Sequence, residues 1–240
     1  MANQIHGKHE AGTHLLRKLP ELSSKHPIAK PYIDRMMNNS SPLVAKTLAL
    51  ADMAGTPNPL YTADGNFERL FKKVEVYGKD GTAALNANSY EREEGAKALN
   101  ALADARLKLN VKSENHSAFM LRFANMSKSE IWREAVTAMK NGDSEFMATV
   151  LKAHPFLSGL SAEDMQRLRS DYVKVQAPDI SGALEALDEA FNTVLAIDRV
   201  TQSVKTALSD PRRYEEIRQG VDAAERAEAA FNAPPPPVSE

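Results

Sequence analysis

Four of the six histidines lie within residues 1–30, and His6, His9 and His14 stand close to Glu10. Imidazole and carboxylate are the donors that zinc and nickel accept. The order His-x-x-His-x-x-x-x-His matches no established ligand spacing. His9 and His14 are one residue more than a helical turn apart, and Gly7 and Gly12 loosen the frame that would hold them. The reading is therefore a chain with no bound metal and no cofactor. Asp64-Gly65-Asn66 offers fragments of a calcium loop, without the alternate oxygen ligands and closing glutamate such a loop needs. Asp64 is expected to cap a helix instead. Acidic pairs such as Glu163/Asp164 and Glu215/Glu216 could do acid–base chemistry only if their two environments differed. Arg167, Arg212 and Arg218 lie three or four residues from one of these acids, with Arg169 a little further on, which makes solvated ion pairs sufficient.

No His-Glu-x-x-His, phosphate-binding loop, dinucleotide glycine pattern or nucleophile elbow occurs. Cysteine is absent, which excludes thiolate catalysis, disulfides and cysteine-ligated zinc. The residues point away from enzymatic function. Lys8, Arg17, Lys18, Lys25, Lys30 and Arg35 form a mildly basic front, with Tyr32 as its only aromatic. Residues 1–60 carry 7 Lys and Arg against 4 Asp and Glu, whereas residues 161–240 carry 9 against 15. Phosphate contact by the front is the alternative function, that of a DNA-associated or regulatory protein. Its density is low for a nucleic-acid partner, which is not favoured. The basic-to-acidic gradient suits head-to-tail contact between copies.

The elements that must position these residues are helical. Aromatics make up 6% of the 240 residues, while Ala and Leu dominate the apolar set, a composition that suits helix over strand. Ser127-Lys128-Ser129-Glu130 and Ser161-Ala162-Glu163-Asp164 read as capping boxes, and Asp210-Pro211 as an N-cap followed by a proline with helical φ. Asn141-Gly142 and Pro155 supply stops. Residues 1–30 read as a loosely structured arm. Pro31 and Ser41-Pro42 each open a new helix. A further helix follows Asp64 and ends at Gly78, a turn spans 79–87, and Ser89 starts another helix. Trp132 lies on the apolar face of a helix over 129–140, a core position. No apolar run reaches the ~20 residues that span a bilayer, so no membrane partner is expected. The first ten residues are polar, unlike a secretory signal.

The longest helix runs over about 180–208, and its apolar positions form two stripes. Leu184, Leu187, Phe191, Val194 and Leu195 cover one face, and Ile197, Val200, Val204 and Leu208 turn toward the opposite one. One neighbour cannot bury both. Either the helix bridges two packing units, or Ile197, Val200, Val204 and Leu208 are an interaction surface for another chain. The second reading is adopted, with self or another protein as partner. A last helix over 211–231 carries a thin apolar stripe, and Pro234 to Pro237 make a polyproline tail. The resulting plan is all-α, a multi-helix array with short loops and a long C-terminal helix. Its regions are an arm (1–30), a helical domain (31–176), a long helical C-terminal region (177–232) and a Pro-rich tail (233–240).

One block is distinctive. Glu145-Phe146-Met147-Ala148-Thr149-Val150-Leu151 is followed by Pro155-Phe156-Leu157-Ser158-Gly159-Leu160-Ser161, Leu168-Arg169 and Pro178. This succession of short helix, apolar linker, capped helix and long acidic helix resembles a pattern in small helical proteins of unknown function from tailed bacteriophages and prophages. The resemblance spans 144–190, about a fifth of the chain, and its sharpest part is Phe156 to Ser161. His154 departs from the apolar or small residue of that pattern. The resemblance implies a setting, not an activity: a bacteriophage structural or virion-assembly protein, in the host cytoplasm or the particle, with other virion proteins as partners. Independently of it, Leu157 and Leu160 are placed to staple the linker to the core while Ser161 caps the next helix.

Overall fold

The computed structural model describes residues 2–110 and 115–231, and among them 86% are helical, with no strand. The helices are α1 (Ala2–Leu16), α2 (Lys18–Lys25), α3 (Lys30–Gly55), α4 (Ala63–Arg106), α5 (His116–Phe123), α6 (Lys128–Asn141), α7 (Ser144–Lys152), α8 (Pro155–Ser158), α9 (Ala162–Gln176), α10 (Pro178–Leu208) and α11 (Pro211–Phe231). The fold is the expected all-α array, with a long helix near its C-terminal end. The Pro-rich tail (233–240) lies outside the described residues. No helix among them is long and apolar enough to cross a membrane.

The caps that were legible in the sequence are formed. Ser127 and Glu130 exchange hydrogen bonds across the first turn of α6, and Ser161 and Asp164 do the same for α9. Asp210 accepts from the Arg213 amide at the start of α11 (3.1 Å). Gly142 closes α6 with φ 70°, the left-handed conformation that glycine adopts without strain. Other expectations need correction. Thr62, not Asp64, caps α4, its hydroxyl accepting from the Gly65 amide (3.1 Å). The described part of the expected loose arm 1–30, residues 2–30, is instead largely helical, with Ile5 and Leu19 fully buried. Pro42 lies inside α3 instead of starting a helix. Proline breaks the helical ladder locally, but Leu43, Val44, Thr47, Leu50 and Ala51 just beyond it are all buried, and that packing carries the helix through. Nor does a helix end at Gly78: α4 is continuous for 44 residues.

That continuity has a packing cause. A Cβ added at Gly81 would lie 2.8 Å from the Thr201 methyl, and one at Gly95 would lie 2.8 Å from Leu187 and 2.9 Å from the Tyr32 ring. These glycines let neighbouring helices approach α4 closely, and the close contact offsets the roughly 1 kcal/mol that glycine costs a helix interior.

Contacts gather the chain into two units that cut across its linear order. The first takes the described residues of Met1–Leu16, Asn39–Asn86 and Val194–Glu240, and the second takes Arg17–Asn38 and Ala87–Thr193. Helices α3, α4 and α10 contribute to both. Ile5, Leu43, Leu50, Ala51, Val74, Tyr77, Val204 and Leu208 form a core cluster of the first unit, with Val200 packed against it. Inside this core the Tyr77 and Thr47 hydroxyls bond at 2.7 Å, so the buried phenol keeps a partner. In the second unit α6, α7 and α9 pack together, and α5 lies on α7 and α8.

This arrangement corrects the proposed interaction face. Ile197, Val204 and Leu208 are buried and Val200 is half-buried, all within the same chain. The rotation of the apolar stripe along α10 has the other cause considered: the helix passes from one packing unit to the next. The break falls at Thr193/Val194, within the first stripe, so Val194 and Leu195 already belong to the same unit as Ile197, Val200, Val204 and Leu208.

Candidate interaction surface

The linker 154–161 is held at each of its turns. The imidazole of His154 takes the capping place of α8, its Nδ1 accepting from the Phe156 amide (3.2 Å), and Pro155 supplies a pre-set φ for the first turn. Gly159 ends that turn at φ 63°. The Ser158 hydroxyl, buried, donates to the His154 carbonyl (3.4 Å) and accepts from the Leu160 amide (3.3 Å). Leu160 is buried and Leu157 half-buried, as a staple requires. Ser161 then caps α9. So many constraints on eight residues leave the Phe156 side chain one direction, outward, where it is 89% exposed.

Beside Phe156 opens a cleft of about 360 Å³ lined by Phe123, Ala124, Met126, Lys128, Leu157 and Gly159. Phe123 on its wall belongs to an aromatic cluster. Phe123 and Phe119 meet the Phe146 ring edge-on, at 5.5 and 5.4 Å between centroids, which fixes α5 against α7. The charged groups nearby have partners: Lys128 reaches Asp164 (2.5 Å), and Arg122 reaches Glu134 (2.5 Å). The result is a preorganised aromatic knob beside a cleft of mixed lining, framed by paired charge.

The Lys128–Asp164 pair also ties α6 to α9. Its ammonium, with the Ser161 amide and hydroxyl, holds the Asp164 carboxyl down at about 2, from an ordinary value of 3.8. A folded-state value below the unfolded one adds stability that is complete above about pH 4 and is lost as pH falls through about 2. Asp164→Asn is therefore expected to melt earlier than wild type at neutral pH, with the difference closing below pH ~2. Thermal melts at the two pH values check this, and a gap that persists in acid would refute the assignment.

The other sequence candidates are placed as follows. His6 Nδ1 bonds its own helix at the Ala2 carbonyl (3.0 Å), and His9 Nδ1 bonds the Val44 carbonyl (2.9 Å). Among the described residues no three His, Asp or Glu side chains gather as a metal set. In the basic front, Lys25 pairs with Glu21, Lys30 with Asp34 and Arg35 with Glu91, at 2.6, 2.8 and 2.6 Å. Lys8 donates to the Ser203 carbonyl (2.8 Å). Trp132 is half-buried, with the Arg167 guanidinium 5.8 Å from its ring. A polar cleft of about 430 Å³ includes Arg92, Asn100, Arg169 and Asp188 in its lining. Arg92 is bound to Asp188, and Arg169 to Asn100 and Asp104.

Sequence reasoning singled out the 154–161 linker but not the outward Phe156. Part of the signal was present: a prolyl start and a glycyl stop four residues apart allow one helical turn, on which Phe156 and Leu157 point about 100° apart. Comparison of the chain with protein-family models, curated proteins and solved structures gave no match.

Proposed function

We propose that the chain is a non-enzymatic protein that acts through protein–protein contacts, with Phe156 and its cleft as the principal contact. The observation that carries this reading is the 89% exposure of a phenylalanine on a turn fixed at both ends. Full burial of such a side chain is worth about 1.5–3 kcal/mol. Because the turn is already ordered, little of that gain is lost to ordering on binding. Aromatic anchors beside pockets are where binding energy concentrates. The setting we propose is a bacteriophage structural or assembly role, in the host cytoplasm and the particle. It rests on the resemblance whose sharpest stretch, Phe156 to Ser161, is this same turn. Against the alternative of DNA association by the basic front stands the pairing of Lys25, Lys30 and Arg35 with carboxylates, which reduces the charge available to phosphates.

The test is incorporation of tagged chain into particles purified from producing cells, wild type against Phe156→Asp. Loss of roughly 30-fold or more in association, the scale of a hot-spot residue, with an unchanged melting temperature, is the expected result. Equal incorporation of both chains, or incorporation of neither, would overturn the proposal. Salt-sensitive retention on DNA would favour the alternative.

A further inference from the structure

Helix α11 is anchored at one end and uncovered beyond it. At its start, the Tyr214 ring stacks on Phe71 (4.2 Å, 10°), and the Arg213 guanidinium sits 4.6 Å from the Phe67 ring and 3.1 Å from Asp64. From Arg218 to Ala229 every side chain is exposed except Asp222, which is half-buried. Ile217, Gly220, Val221 and Ala224 recur at helical spacing and line an open groove of about 490 Å³ on one side of α11. Arg213 and Glu216, with Asp64 at the start of α4, line the same groove, and Glu228 lies one turn beyond Ala224. The uncovered stretch from Arg218 to Ala229 has the length, about 12 residues, at which an isolated helix is marginal in water.

The face is complementary to itself when reversed. Arg213 and Glu228 are equally distant from the midpoint between Gly220 and Val221, and so are Ile217 and Ala224. Turning a second α11 antiparallel about that midpoint sets Arg213, which also holds Asp64 of its own chain, against the second copy's Glu228, and Ile217 against its Ala224. Val221 then enters the space over Gly220, where an added Cβ would meet nothing within 4 Å. Antiparallel alignment also brings each positive helix end toward a negative one.

We propose that the uncovered face of α11 is a two-fold, antiparallel self-association site whose occupant is the α11 of a second copy of this chain. The site is isologous, so it closes at a dimer. A contact of one helix pair is smaller than a standard interface, so the dimer is a weak one, formed at about micromolar to tens of micromolar chain. The proposal shares with the functional reading only that the chain works through protein contacts, because it uses neither Phe156 nor the cleft beside it.

The absence of cysteine makes the test clean. In the full chain, Val221→Cys is expected to form a disulfide-linked dimer on mild oxidation, since the two sulfurs fall beside the two-fold. Ala224→Cys alone should not, because antiparallel pairing offsets the two copies by about 10 Å along the axis, beyond disulfide reach. Mixed with Ile217→Cys it should cross-link. Sedimentation is expected to show mass rising from 26.3 kDa toward twice that value with concentration, and Val221→Asp to remain monomeric with unchanged helicity. Ala224→Cys linking to itself would show parallel pairing and overturn the geometry. A wild type that stays monomeric at about 100 μM, well above the range proposed, or a Val221→Cys that does not link, would overturn the site. Phe156→Asp should leave the dimer intact, which separates failure here from failure of the functional reading.

Discussion

Val204→Asp is expected to unfold the unit that contains it and not to disturb a surface. Val204 is 0% exposed and lies among Ile5, Leu43, Leu50, Val74 and Tyr77. The substitution removes about 1.5–3 kcal/mol of apolar burial and places a carboxylate where no cation from the same core can answer it, a cost of several kcal/mol more. Domains are stable by only about 5–15 kcal/mol, so most of the margin is spent. A chain of this size loses roughly 2–4 °C of melting temperature per kcal/mol, which predicts a fall on the order of 10–20 °C, or no folded first unit at all. Val200→Asp, at a half-buried position packed on the same cluster, should fall less. Calorimetry or circular dichroism melts check the pair. A Val204→Asp chain that melts normally but fails to associate would show that α10 presents this face to a partner.

Gly95→Ala is expected to destabilise the protein even though alanine is the better helix former. Propensity alone predicts a gain of about 1 kcal/mol. The new Cβ, however, would stand 2.8 Å from Leu187 Cδ2 and 2.9 Å from Tyr32 Cγ. The leucine methyl can turn away, but the base of a tyrosine ring cannot move without shifting its backbone. Overpacking of this kind costs about 1–3 kcal/mol, so the net sign is unfavourable, and Gly95→Leu should be worse. Two other glycines calibrate the argument. At Gly78 the nearest atoms are the flexible Cδ, Cε and Nζ of Lys205, so Gly78→Ala should come out close to neutral. At Gly7 nothing lies within 4 Å, so Gly7→Ala should stabilise by about 0.5–1 kcal/mol. Denaturant midpoints for the three variants give the order, and a Gly95→Ala more stable than wild type would refute the close-approach account.

The α-only class, the capping boxes of α6 and α9, the Asp210 cap and the stop at Gly142 were decided by the sequence itself. Each depends on residues within one helical turn, where hydrogen-bond partners and backbone preferences are set by neighbours in the chain. The two stripes of α10 were legible for the same reason, because periodicity is local. What those stripes meet was not. Burial of Val204 and Leu208 depends on Ile5, Leu43 and Val74, which are brought from distant parts of the chain. An apolar face reads the same in sequence whether its own chain or another covers it. Tertiary structure also settled the fate of the breakers. Pro42 and Gly78 are stop signals by local rules, and both lie inside continuous helices, the first because buried side chains follow it and the second because close packing at Gly81 and Gly95 carries α4 past it. The outward Phe156 belongs to both levels. Pro155 and Gly159 confine the chain to one turn locally, and only the packing of Ser158 and Leu160 inward fixes which side chain that turn leaves in water.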